Sequence, residues 1–198
     1  MAGKPQLVVI AGPNGAGKST LSAHSIFKSL PIINPDVITI ENNCSPIEAG
    51  KIAIAQRRQL LQERQSFAIE TTLTGNSEIA LMRDAKKLGY RVNLAYVGIS
   101  NVALSAIRVA SRVAKGGHNI PKKDILRRYD RSLKNIPMAF EIADRAYIFD
   151  NSFKKRHLLY KKNLRIERIV AKDLPNWAKE TIKTLRNIHR EIDDGLAF

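Results

Sequence analysis

The chain has 198 residues, 44% of them hydrophobic, which suits one compact α/β domain with a sizeable core. Its 33 lysines and arginines outnumber 18 acidic residues, a formal charge of +15 that points to anionic ligands or partners. The basic residues are dispersed, aromatics are only 6%, and neither an aromatic stripe nor zinc-ligand spacing stands behind a nucleic-acid reading. Cys44, the single cysteine, excludes an internal disulfide and suits a reducing, cytoplasmic setting. No apolar run approaches the length of a membrane span.

Along the chain, strand and helix patterns alternate, which predicts an α/β fold with a mainly parallel sheet of the P-loop NTPase type and helices on both faces. "QLVVIAG" reads as a first strand buried on both sides, followed by a helix from near Gly17 to about Phe27. "LPIINPD" reads as a short second strand that stops at proline. Residues 45–65 read as a long helix with Ser45 as cap, Pro46 in the first turn and Glu48 completing a capping box; Ile47, Ile54 and Leu61 recur on one face. "SFAIETTL" is a third strand, residues 77–90 a helix ended by Gly89, "YRVNLAYVGIS" a fourth strand. Residues 101–115 read as a helix ended by Gly116-Gly117, and residues 121–137 as a helix between two prolines. "RAYIFDNS" is a fifth strand. Two short strands follow within residues 156–170 around a turn at Lys161 to Asn163, and a final helix carries Trp177, Ile182, Leu185 and Ile188. The whole, 1–198, reads as a single domain with an arginine-rich lid at about 108–134 and a C-terminal part at about 156–193.

Gly12, Gly17, Lys18 and Ser19 satisfy G-x-x-x-x-G-K-[ST], between an apolar strand and a helix. In this pattern the backbone of Gly12, Pro13, Asn14, Gly15, Ala16, Gly17, Lys18, Ser19 and Thr20 wraps phosphate oxygens, with the helix N-terminus aimed at the same anion. Lys18 reaches the terminal phosphates, and Ser19 holds Mg²⁺. The ligand expected is ATP; a guanine-reading N-K-x-D signal is absent.

Three further stretches carry residue types that phosphoryl transfer needs. Asp36 follows the second strand, placed either to accept a proton from a substrate hydroxyl or to shape a turn. Glu70, Thr71 and Thr72 end the third strand. Glu70 there is suited to Mg²⁺, through water, or to substrate; the plainer reading is that Glu70 caps the sheet edge and Thr72 the next helix. Arg108 and Arg112 share a helical face, and Arg127 and Arg128 follow in the next helix; these are candidate phosphate clamps in a closing lid, or ordinary basic helix faces. His118 in "GGHNI" reads as a loop residue, Cys44 as inert and Trp177 as core.

The ordered set "GPNGAGKST", "INPD", "IETTL", "RVASRVAKGGHNIP" and "RRYDRSL" resembles the zeta-toxin family of P-loop kinases, over about residues 6–150 and in its short, single-domain form. The resemblance implies an ATP- and Mg²⁺-dependent kinase acting on a hydroxyl of a small anionic acceptor such as UDP-N-acetylglucosamine. It assigns Lys18 and Ser19 to ATP and metal, Asp36 to the base, Glu70 and Thr72 to the sugar nucleotide, and Arg112, with Arg108 and Arg128, to the phosphates. It adds an antitoxin protein as a candidate partner. Three alternatives stay open on the residues alone: a kinase for another metabolite, a nucleotide-binding switch or nucleic-acid-associated ATPase, and a partner-binding protein in which ATP is structural.

Overall fold

The computed structural model describes residues 3–23, 29–114, 116, 120–154, 156–162, 165–171 and 173–195. Their strands form one sheet: β1 (Gln6–Ala11), β2 (Ile32–Ile33), β3 (Phe67–Thr71), β4 (Arg91–Gly98), β5 (Arg145–Asp150), β6 (Arg156–Lys162) and β7 (Arg165–Ile169), in spatial order β2-β3-β1-β4-β5-β6-β7. The first five run parallel, and β6 and β7 extend the sheet antiparallel. β1 alternates between two layers: Leu7, Val9 and Ala11 enter the main core, while Val8 and Ile10 pack with Ala68 on the other side. A strand buried on both faces needs that unbroken apolar run. Because β1 lies between β3 and β4, the chain reverses winding direction there and opens a crevice beyond the carboxyl ends of β1 and β3.

The helices are α1 (Lys18–Ser22), α2 (Pro35–Glu41), α3 (Pro46–Gln62), α4 (Asn76–Lys87), α5 (Val102–Val113), α6 (Lys122–Ile142) and α7 (Asn176–Gly195). The expected capping box of α3 is present, with Ser45 and Glu48 bonding each other's backbone amides. α4 has Glu78 in its first turn and Lys86 and Lys87 in its last, matching the helix dipole. Gly116, at φ 84°, donates to Val113 O where α5 ends.

The structure departs from the sequence reading at three places. α2 lies where no helix was expected: Asn34 accepts from the amide of Asp36, and Pro35 suits the first turn. In α3, Ile47 and Ile54 are exposed, and the buried face is instead Ala49, Ala53, Arg57 and Leu61. Two alanines in that row bring the first half of the helix close to its neighbours, and the bulkier isoleucines turn outward. In α6, Pro137 lies inside the helix rather than ending it. Ile136, Ala139 and Phe140, all fully buried, hold the last turns against the core and offset the hydrogen bond that proline removes. Part of the expected first helix (24–28), Gly117, His118 and Asn163 lie outside the described residues, as does the side chain of Ile188.

Candidate active site

The glycine loop is shaped by what lies behind it. A side chain at Gly12 (φ 144°) would come within 2.1 Å of Val97 O on β4, so the loop's first turn requires glycine both for space and for conformation. Ser105, fully buried in α5, donates to Asn14 O, and Asn151 Nδ2 donates to Ala16 O at 2.9 Å. Arg108 closes the arrangement from α5. Its guanidinium donates to Gly15 O at 3.3 Å, Asn151 O at 2.8 Å and Ser152 O at 3.1 Å. Three backbone carbonyls thus engage the guanidinium of Arg108, a commitment that ties α5, the loop and the segment after β5 into one unit.

Beneath this unit, the Asp150 carboxylate accepts from Ser152 Oγ at 2.6 Å and from the indole of Trp177 at 3.2 Å. Trp177 packs over Gly98, where a Cβ would meet the indole ring at 2.3 Å. Sequence reading placed Trp177 in the core, and it is buried there; its link through Asp150 to the phosphate loop has no sequence signature.

Lys18 Nζ donates to the carbonyls of Gly12 and Pro13 at 3.0 and 3.1 Å. Burial pulls its ammonium below the ordinary lysine range. Glu70 and then Asp36 draw it back up, whereas Arg112 and Arg128 push it further down. Four of the candidate side chains therefore act on one ammonium through space. Glu70 is buried at the end of β3; its Oε1 accepts from Ser19 Oγ at 2.8 Å and its Oε2 from Ser22 Oγ at 3.1 Å. A hydroxyl that gives its proton to a carboxylate keeps its lone pairs for a cation, so Ser19 and Glu70 form a hard oxygen pair of the kind Mg²⁺ prefers. Among the described residues, no group of three or more His, Cys, Asp and Glu side chains is placed to hold a metal without help from a ligand. The donor set fits a metal carried on phosphates.

Asp36 does not cap α2; Asn34 does, which leaves the Asp36 carboxylate exposed at the cleft. Thr72 does not cap α4, whose N-cap is Gly75; its hydroxyl pairs with Thr74 at 3.1 Å. The turn between them runs through Leu73, fully buried at φ 58°, a left-handed conformation that a leucine adopts at some cost. Thr71 Oγ1 accepts from the Leu73 amide, and Asn135 of α6 donates to Leu73 O at 2.9 Å, which together hold the turn.

One cleft of about 460 Å³ gathers these groups. Its lining includes Asn14, Gly15, Gly17, Lys18, Ser19, Thr20, Asn34, Asp36, Glu70, Thr71, Thr72, Thr74, Arg108, Arg112 and Arg128. Gly12, Pro13 and Ala16 support the loop from behind. Arg127, by contrast, pairs with Asp124 on its own helix at 2.9 Å and is not part of the lining. Beyond the predicted set, the lining adds Asn34, Pro35, Pro46 and Thr74 and two charged residues, Arg57 and Glu78. The available signal was Arg57's spacing four residues after Ala53 and eight after Ala49, in a buried row.

Comparison with known proteins identifies the family and the fold. The zeta toxin family model matches residues 46–165, more than half of the chain. The chain belongs to the zeta toxin family. The match begins beyond the phosphate loop and Asp36 and covers Glu70 and the arginine helices. A Haemophilus influenzae Rd protein of uncharacterised function is 35% identical over 127 residues, spanning 62% of this chain and 91% of that one. The crystal structure of AvrRxo1-ORF1:-ORF2 with ATP superposes with a TM-score of 0.68 at 16% identity, over 92% of this chain but 64% of that one. The PezAT chromosomal toxin–antitoxin system of Streptococcus pneumoniae gives a TM-score of 0.60 at 18% identity, over 94% and 85% of the two chains. At such identities the superpositions establish a shared fold, that of P-loop kinase-like toxins. Family and fold together support an ATP-using P-loop kinase. No helix among the described residues is long and apolar enough to cross a membrane.

Proposed function

We propose that this zeta toxin family member transfers the γ-phosphoryl group of ATP to a hydroxyl of a small anionic acceptor, a nucleotide sugar such as UDP-N-acetylglucosamine. The observation that carries the proposal is the meeting of Lys18, Ser19–Glu70, Asp36, Arg112 and Arg128 at one cleft. The loop amides and Lys18 hold the phosphates of ATP. Ser19, oriented by Glu70, holds Mg²⁺, which when bound would offset charge on the β- and γ-phosphates. Asp36 takes the proton of the acceptor hydroxyl as its oxygen attacks the γ-phosphorus. The bond from that phosphorus to the bridging oxygen breaks, and ADP leaves. Arg112 and Arg128 offset the charge spread over the moving group. Thr71 and Thr72 face the acceptor. Arg108 serves differently, holding the loop in shape rather than grasping phosphate.

The test is ADP release with ATP and Mg²⁺, with and without UDP-N-acetylglucosamine, the sugar nucleotide being weighed for one added phosphoryl group. Acceptor-dependent release with that mass gain supports the proposal. Absence of any gain, with protein that binds ATP, removes this acceptor. The likeness to PezAT supports extending the proposal to an antitoxin partner. Growth arrest on expression, relieved by Lys18→Ala, is the matching observation.

A further inference from the structure

Arg57 lies midway along α3 on its buried face, with 7% of its surface accessible, yet it also lines the cleft. Its Nε is buried and has no hydrogen-bond partner. Its nearest carboxylate, Glu78 Oε1, is 3.9 Å from Nη1, within ion-pair range but too long for a hydrogen bond. Burial depresses the guanidinium's pKa from the usual arginine value, and the pull of Glu78 only partly counters that. Arg108 supplies a contrast inside the same molecule: that structural arginine gives three hydrogen bonds to backbone carbonyls. A buried charge without such bonds costs several kcal/mol, by the general scale for desolvated ions. A fold retains it where a partner arrives later.

Charge in the cleft identifies that partner. Asp36, Glu70 and Glu78 bring three carboxylates to the cleft lining, and they would repel an anionic substrate. Arg57, paired with Glu78 next to the Thr72–Gly75 turn, is a cation in the same cleft lining. Its planar fork is suited to two oxygens of one phosphate or carboxylate. Glu78 is itself fixed by Ser77 Oγ at 3.0 Å and packs against Gly75, so it holds the guanidinium in place without saturating it.

We infer that Arg57 is the receptor for an oxyanion group, phosphate or carboxylate, on the phosphoryl acceptor, and sets the enzyme's preference for anionic over neutral acceptors. The inference rests on the kinase reading for its context and names the acceptor class within it.

The experiment uses the full chain saturated with Mg²⁺ and a non-hydrolysable ATP analogue, which fills the donor end. Calorimetric titrations compare N-acetylglucosamine with N-acetylglucosamine 1-phosphate, and glucose with glucuronate. The expected result is that at least one anionic member binds on the order of tenfold more tightly than its neutral counterpart. Arg57→Gln should reduce that preference to about twofold or less, and Arg57→Lys should retain part of it. In the wild-type protein, the Arg57 Nε–H resonance, assigned by its loss in Arg57→Lys, should move with the anionic sugar and not with the neutral one. Equal affinities within both pairs, no binding by either anion, or an unchanged preference in Arg57→Gln overturns the inference. Replacing the analogue with ATP separates the two readings. Selective binding without transfer leaves the receptor and sinks the kinase, whereas equal transfer to neutral and anionic sugars does the reverse.

Discussion

Ser19 Oγ donates to Glu70 Oε1 at 2.8 Å, joining the first helix to the end of β3 across the mouth of the phosphate loop. With Ser22 bonded to the other oxygen, both ends of the carboxylate are fixed. In the proposed reaction, Glu70 would act on a metal through the serine it orients. Glu70→Gln keeps the shape and one acceptor oxygen but loses the charge. It should raise the Mg²⁺ concentration giving half-maximal activity by about ten- to a hundredfold, the usual effect of losing an orienting partner. Nucleotide binding measured without metal should change little. A Mg²⁺ titration of ADP release checks both arms; an unchanged midpoint would remove Glu70 from metal chemistry.

Asp36 stands clear of the helix cap that Asn34 provides, so its carboxylate is available at the cleft. Asp36→Asn should lower acceptor phosphorylation by on the order of 10² to 10⁴, the range associated with a lost general base. ATP should still stabilise the variant against heat, because the phosphate loop is untouched. Lys18→Ala should lose both transfer and stabilisation by ATP. At a hundredfold excess over Kd, ATP stabilises the wild-type protein by about 2.7 kcal/mol, and that shift should vanish in Lys18→Ala. If Asp36→Asn transfers phosphoryl at the wild-type rate, the base lies elsewhere.

The arginines near the loop should divide by function. Arg108 gives three bonds to backbone carbonyls, so Arg108→Met should destabilise the fold by about 2–4 kcal/mol through unsatisfied acceptors and a loosened loop. Arg112 is exposed and Arg128 intermediate in exposure, and substitution of either by lysine, which keeps the charge, should leave the melting temperature nearly unchanged while slowing transfer. Melting curves and single-turnover rates on the same three variants give the comparison. Equal melting temperatures for all three would show that Arg108 is not structural.

How far the sequence revealed this site depended on whether a residue's neighbours were local. The phosphate loop was legible because its residue pattern is contiguous in sequence, although distant residues brace it, and the capping box of α3 was legible because it too is local. Glu70 was legible as an acid at a strand end, but its two serine partners lie 51 and 48 residues away in sequence and emerge only on folding. The exposed Ile47 and Ile54 show the limit of periodicity. An alanine row can claim the core when close approach to the neighbouring elements gains more contact than larger side chains would. Arg57 carried no local motif: its burial follows from the row Ala49, Ala53, Arg57 and Leu61, which only packing selects. Asn34's cap and α2 were obscured by a proline that first read as the end of a strand.

Gly98 and Trp177 test how the last helix supports the site. A methyl at Gly98 would overlap the indole at 2.3 Å, and the indole donates to Asp150, which in turn holds Ser152 beside Arg108. Gly98→Ala should therefore cost about 1–3 kcal/mol by overpacking. In a Trp177→Leu background the same change should cost much less, because the overlapping ring is gone. Additive effects in the double-mutant cycle would show that the two positions do not interact.

Lys161 gives the pH-dependent prediction. Fully buried on β6, its ammonium donates to Phe140 O at 2.5 Å and Glu141 O at 3.1 Å, at the carboxyl end of α6. Burial pulls its pKa down from 10.5 to about 8, with Glu141 and Asp144 opposing the shift and Lys86 adding to it. The folded chain therefore releases this proton more readily than the unfolded chain does. Between about pH 8 and 10.5 the unfolded state holds more protons, so this group's contribution to stability rises with pH across that window and is flat below it. Tyrosines titrate near the upper end, so the measurement is the difference between wild type and Lys161→Met at each pH. That difference should move in favour of the wild type from pH 7 to pH 10, because the neutral amine can still donate to the helix carbonyls while methionine cannot. A difference that stays constant, or shifts toward the variant, would mean that the buried ammonium carries no desolvation cost.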